Sequence, residues 1–217
     1  MEIPPPPVPE SRLSAWRQTD QTVDSPFSTP LVSVYTHTTV YEETTQRQQI
    51  REQTGFDLAW RFFFASRIRL EPPHPPSLFL TSLIRQQVSQ AFVERLSTRG
   101  FVDIDKESQT SVSVDGAKGV RKRYRAQFQI SADALSTKQV GSETDSTATE
   151  DGAPLSIPVE GYLTVWADDD YYVAGGAYPS GPPKDGPPAL LAALGDVIDP
   201  AAAREELLRL IDGCGES

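Results

Sequence analysis

An α+β fold, a mainly antiparallel sheet flanked by helices, is predicted by three stretches of the sequence. Residues 159–179, VEGYLTVWADDDYYVAGGAYP, alternate Val159, Gly161, Leu163, Val165 and Ala167 with Glu160, Tyr162, Thr164 and Trp166, and return after Asp168, Asp169 and Asp170. A period of two closed by a polar turn is a β-hairpin. Residues 57–70, DLAWRFFFASRIRL, place Leu58, Trp60, Phe62, Phe64, Ile68 and Leu70 on one side, which makes this strand the expected centre of the core. Residues 77–99 repeat Leu80, Ile84, Val88, Phe92 and Leu96 every fourth position, a helix stripe that needs a sheet to lie on.

The other elements are justified in chain order. Residues 1–11 hold Pro4 to Pro7 and Pro9 and read as a disordered Pro-rich tail; a polyproline partner motif is the other meaning of such a segment. A short strand is expected around 13–17. Residues 31–41 alternate β-branched and aromatic residues as a stronger strand, and 42–53 form a short helix stopped at Gly55. Ser77 caps the main helix and Gly100 supplies its left-handed end, with Phe101 as the accompanying apolar contact. Residues 101–114 are extended with a kink near 107–109, Asp115-Gly116 turns the chain, and 120–130 return as a strand. From about 136 to 158 the composition is Ser, Thr, Gly and acid, a long loop expected to be mobile. Gly175-Gly176 inside a strand marks a bulge or a place where a helix or another backbone comes close. A short apolar turn at 189–194 precedes a last helix with Asp199 as cap and Pro200 at its first position. The domain therefore spans 12–212, with a short tail at 213–217.

The chain has 217 residues, 20 basic and 30 acidic, for a net charge of −10. Of the basic residues 15 are Arg and 5 Lys, and residues 143–217 alone carry a net −12. Such a charge repels nucleic acid and anionic membrane at long range, so neither is expected as a partner. An acidic surface with scarce Lys fits a salt-rich cytoplasm, where screening shortens the Debye length to roughly 3 Å at 1 M; an acidic protein of an ordinary cytoplasm is the alternative. No apolar run approaches the length of a membrane helix, and the N-terminus has no signal-peptide pattern, so a cytoplasmic location is expected.

Chemistry is thinly represented. His37 and His74 are the only histidines, and neither neighbours a nucleophile motif. Cys214, the single cysteine, is expected to be exposed and inert. There is no Walker loop, GxGxxG, HExxH or paired CxxC, so no cofactor is expected. Asp168 to Asp170 lack the spacing of a calcium loop and read as a solvated turn, so no metal site is expected either. One pattern stands out: Arg61, Arg67 and Arg69 alternate along one strand, and Arg121, Arg123 and Arg125 along another. Were both on one sheet face, with Tyr162 and Trp166 at the border, they would suit an anion, an acidic peptide or single-stranded nucleic acid. Each arginine locked to a carboxylate would argue against that.

RIRLEPP at 67–73, RLSTRGF at 95–101 and the hairpin at 159–179 together give the chain a resemblance to the PsbP-like fold. That fold is the α/β/α sandwich of photosystem extrinsic subunits and of import accessory proteins that bind the Ran GTPase. The hairpin motif with the acidic composition also resembles haloarchaeal proteins of no assigned function. These motifs are structural, so the resemblance implies a fold and carries over no functional residue. With no catalytic constellation in the sequence, a non-catalytic protein-interaction or assembly-accessory domain is expected, with a binding module for a small anion or other ligand on the arginine face as the alternative. Partner identity and oligomeric state have no signature in the sequence.

Overall fold

The expected hairpin sits at the middle of a single seven-stranded sheet. The computed structural model describes residues 3–28, 33–130, 155–183 and 188–215. Within them the strands are β1 (Trp16–Ser28), β2 (Ser33–Glu43), β3 (Phe62–Glu71), β4 (Phe101–Val114), β5 (Ala117–Ile130), β6 (Leu155–Ala167) and β7 (Tyr171–Pro179). The helices are α1 (Thr45–Thr54), α2 (Leu78–Thr98), α3 (Pro188–Val197) and α4 (Pro200–Asp212). The sheet order is β1-β2-β3-β7-β6-β5-β4, and every neighbouring pair is antiparallel. After β3 the chain crosses by α2 to the far edge and winds back strand by strand, so that β7 closes against β3.

Because side chains alternate across each strand, the register divides them between two faces. Under α2 lie Phe62, Ile68 and Leu70 of β3, Leu163 and Val165 of β6, and Val173 and Ala177 of β7, met by Ile84, Phe92 and Leu96. Under α4 lie Phe63, Tyr162, Trp166, Tyr172, Ala174 and Tyr178, met by Ala203, Leu207, Leu210 and Ile211. Phe63 is fully buried, and its removal from water contributes roughly 3 kcal/mol. A third cluster at one end of the sheet joins Ile50, Trp60, Leu155, Ile157, Leu194 and Ile198. It explains why Trp60 does not share a face with Phe62 as the alternation predicts. The strand begins only at Phe62, and the preceding turn carries Trp60 to the sheet end.

The caps are where residue chemistry puts them. Ser77 accepts from the Leu80 amide, and Asp199 accepts from the amides of Ala201 and Ala202. Gly55 and Gly100 have φ of 74° and 87°, the left-handed conformation that ends a helix. At Gly176 a Cβ would overlap the Phe62 carbonyl and stand 2.8 Å from Leu207 Cδ1 of α4, and at Gly175 it would meet the Tyr162 carbonyl and the Phe64 ring, so the glycine pair marks tight packing against neighbouring strands, with α4 close over Gly176.

Some expectations are corrected. The Pro-rich segment lies against the domain: Ile3 is 3% exposed and its carbonyl accepts a hydrogen bond from His37 Nδ1 at 2.9 Å. Pro6 and Pro9 are also buried, since proline rings pack as apolar surface and need no amide partner. The first strand starts at Trp16, runs to Ser28 and is far longer than expected, and the turn at 189–194 is part of α3. Most of the acidic stretch at 136–158 lies outside the described residues, but 155–158 belong to β6. Cys214 is fully buried, its thiol donating to the Leu210 carbonyl at 3.3 Å. Among the described residues no helix is long and apolar enough to cross a membrane.

Candidate functional site

Cross-strand register places five of the six arginines on the α4 side of the sheet, and Arg61, just before β3, reaches the same side through Glu206 of α4. Arg121, Arg123 and Arg125 stand opposite Thr164, Tyr162 and Glu160, which continue through Ala174, Gly176 and Tyr178 to the odd-numbered side of β3. Each arginine is paired there. Arg61 donates to Glu206 at 2.5 Å and lies over the Trp16 ring, whose indole nitrogen donates to the same carboxylate at 2.9 Å. Arg69 donates to Asp170 at 2.7 Å, and Arg67 stands 3.9 Å from Asp170 with its guanidinium over Tyr172. Arg121 pairs with Asp212 and donates to Thr164, while Arg123 meets Glu160 at 2.5 Å and Arg125 meets Glu107 at 3.2 Å. Asp170 is therefore a buried anchor of the hairpin turn and not a solvated one.

The two aromatic residues expected at the border are core. Tyr162 and Trp166 are 4% and 3% exposed and stack on Tyr178 and Tyr172. Burial would raise the Glu160 carboxyl, yet hydrogen bonds from Tyr178 and Arg123 outweigh it and hold the group below the usual carboxylate range. The same burial and the bond to Glu160 push the Tyr178 hydroxyl well up. This face is thus a closed network of ion pairs and phenols, and its pairing argues against an anion site built from these six arginines. His37 is also consumed structurally, taking a hydrogen bond from Gln21 at 2.7 Å while its other nitrogen binds Ile3. His74 is exposed beside Pro72. Among the described residues no group of three His, Cys, Asp or Glu is placed to hold a metal ion.

The α2 side offers more. Helix α2 packs on β3, β6 and β5, and on the same face toward the β1 edge Thr22 and Thr36 stand in place of apolar residues beside the buried Thr38 and Val40. Between that floor and the last turns of α2 is a polar crevice of about 260 Å³. Asp20 and Asp24 line its sheet wall, Arg95 and Arg99 its helix wall. Arg99 lies over the Phe62 ring at 5.5 Å, and among the described residues no ion pair joins the two walls. At the other end of α2 the first turns overhang the sheet. Leu78 is 95%, Phe79 80% and Leu83 42% exposed, and the first two are the most exposed large apolar residues among those described, ahead of Val23 at 55%.

These α2 features have faint sequence signals. Leu78 and Phe79 fall outside the stripe through Leu80 and Ile84, and Arg95 and Arg99 are four apart beside it. Asp20 and Asp24 alternate with Thr22, a pattern that an expected strand ending near residue 17 conceals.

Fold and site together define an α+β domain built on one antiparallel sheet, with its arginine face internally neutralised and its largest helix only partly covered. The chain belongs to the family described as Domain of unknown function (DUF6517), whose model matches residues 5–215. No curated protein and no solved structure matches it.

Proposed function

We propose that the protein is a non-catalytic interaction domain that docks a protein partner on the first turns of α2. The observation that carries this is the exposure of Leu78 and Phe79, 95% and 80%, in a molecule that buries most of its other large apolar side chains. Side chains this exposed protrude and enclose nothing, so they fit a groove on another protein and not a small molecule. Full burial of a Leu and a Phe contributes roughly 1.5–3 kcal/mol each, enough to make the pair an anchor. The crevice with Asp20, Asp24, Arg95 and Arg99 gives the same helix a polar second contact. A single sheet with helices over both faces is compatible with a PsbP-like sandwich, a fold some of whose members bind proteins, and we propose that relationship at the level of fold alone. The acid excess of residues 143–217 supports a salt-rich cytoplasm as the setting.

The test is co-purification from native cells at native salt, identification of the protein retained in stoichiometric amount, and titration of that purified protein against the wild type and the double variant Leu78→Ser, Phe79→Ser. The double variant is expected to unfold at the wild-type temperature and to bind at least a hundred-fold more weakly. Equal affinity in the variant would refute the reading. So would light scattering that shows the wild type self-associated through these residues, with no other protein retained.

A further inference from the structure

We propose that Arg85 of α2, Lys106 of β4 and Lys122 of β5 form a binding site for a small multivalent oxyanion of the phosphate or sulfate type, in the seam between α2 and the β4–β5 hairpin. This site is on the opposite face of the sheet from the six paired arginines and stands independently of the partner-docking reading.

Three features set the seam apart. The first is the missing counter-charge. Among the described residues no ion pair involves Arg85, Lys106 or Lys122, although acids outnumber bases 30 to 20 in the chain and each arginine of the other face has a carboxylate. Lys122 is flanked by Gln109 on β4 and Leu163 on β6, both neutral. The nearest acids of β4 turn away: Asp105 stands opposite Arg125, and Glu107 pairs with Arg125.

The second is preorganisation. Lys122 Nζ donates to Ser89 Oγ at 2.6 Å, and the Ser89 hydroxyl donates to the Arg85 carbonyl at 2.6 Å. The ammonium is thereby held beside α2 with donors to spare, one helical turn from Arg85. Lys106 stands on β4 opposite Tyr124, next to the register shift before Ser108 and on the same face as Lys122. Three cations from three elements thus lie within electrostatic reach of Lys122.

The third is unmet demand. Arg85 Nε is buried without a hydrogen-bond partner, which is costly for a charged donor; Arg61, Arg67 and Arg123 Nε on the other face are too, but there each guanidinium also has a carboxylate. Burial, with Lys106 and Arg85 adding to it, holds the Lys122 ammonium below the usual lysine range, so its charge is disfavoured in the folded protein. An oxyanion would accept from the remaining Lys122 donors and from the outer nitrogens of the Arg85 guanidinium, the Nε being enclosed, while neutralising the mutual repulsion. Several donors from different elements suit a polyvalent oxyanion better than a halide. With the whole chain at −10 the long-range field repels anions, so any affinity must arise from this local arrangement.

The experiment is calorimetric titration of the full chain with inorganic phosphate and with sulfate, in chloride at matched ionic strength. One saturable equivalent of phosphate or sulfate is expected, with affinity reduced at least ten-fold in Arg85→Gln and in Lys122→Met, and several-fold in Lys106→Met. Lys106 is exposed, so its variant tests the site even where a seam variant folds poorly. Arg125→Gln, on the other face, is expected to bind as the wild type does. The proposal is overturned by the absence of saturable binding, by chloride acting equally at matched ionic strength, by wild-type affinity in all three seam variants, or by an equal loss in Arg125→Gln.

Discussion

Replacing Gly176 with alanine sets one methyl group against the tightest junction in the fold. The added Cβ would overlap the Phe62 carbonyl, stand 2.8 Å from Leu207 Cδ1 and 3.1 Å from Phe63 Cα. Two of these three obstacles are backbone atoms of β3, the central partner of β7, and backbone in a sheet cannot rotate aside as a side-chain end can. Overpacking of a dense core costs typically 1–3 kcal/mol, and rigid neighbours put this change near the upper end, about 3 kcal/mol. For a chain of this size that corresponds to a fall in melting temperature of roughly 6–12 °C. Urea unfolding followed by tryptophan fluorescence gives the free energy directly, provided the slope with denaturant is unchanged. Gly116→Ala is the comparator: its Cβ would meet nothing within 4 Å, but φ is 78°, so the cost is only the left-handed strain of about 1 kcal/mol. If Gly176→Ala proved no more harmful than Gly116→Ala, the close contacts with the β3 backbone and Leu207 would not be what excludes a side chain at this position.

The buried network yields further outcomes. Glu160 titrates below its ordinary value of 4.5 in the folded protein, so its stabilisation is fully present above about that pH and is lost as pH falls through the lower folded value; unfolding midpoints measured between about pH 3 and pH 6 should drop more steeply in the wild type than in Glu160→Gln, and parallel curves would contradict this. Glu206→Leu strands Arg61, whose side chain is 10% exposed, beside Trp16. Since Glu206 itself is 31% exposed, solvent softens the loss to about 1–3 kcal/mol, and the double change with Arg61→Met should recover part of it in a mutant cycle. Cys214 is buried and its thiol is pushed up by burial, so a thiol reagent should label it only at the rate of unfolding; immediate labelling of the native protein would show that the C-terminal turn opens by itself.

Local chemistry was legible where one or two residues decide the outcome. Asp199, Ser77, Gly100 and Asp115-Gly116 do what their types favour, while alternation grouped the arginines within each strand and left open whether the two groups share a face, which the strand order decides. What alternation cannot contain is the partner. Glu206 lies 145 positions from Arg61 and Asp170 lies 101 from Arg69, so the neutralisation of that face exists only after the chain has folded. For the same reason the Pro-rich head read as a tail. Its order comes from Ile3 meeting His37, 34 positions away, and composition has no means of recording that contact. Trp60 and Trp166 show the limit from the other side: the period of two fixes which neighbours share a face, yet not where the strand begins or whether a helix will cover it.

The sheet edges bear on where a partner can dock. A strand-adding partner needs an edge with a regular run of unpaired backbone groups, and both edge strands are irregular. β1 carries a register shift between Gln18 and Asp20 and a second one between Asp24 and Phe27, with Pro26 inside it. β4 carries two more, with Asp103 at a φ of 51° inside the first. Such breaks twist an edge away from a straight template. The two sheet faces are occupied by α2 and α4, and the end near Trp60 is closed by α1 and α3. Helix α2 and its margins therefore combine features that the edges lack: projecting apolar residues at its start, cations without an ion pair in the seam along one side and a polar crevice at its end. A partner bound by strand addition to β1 or β4 would leave Leu78 and Phe79 in water, so protection of the first turns of α2 from hydrogen exchange in the complex, with β1 and β4 unchanged, separates the two modes of binding.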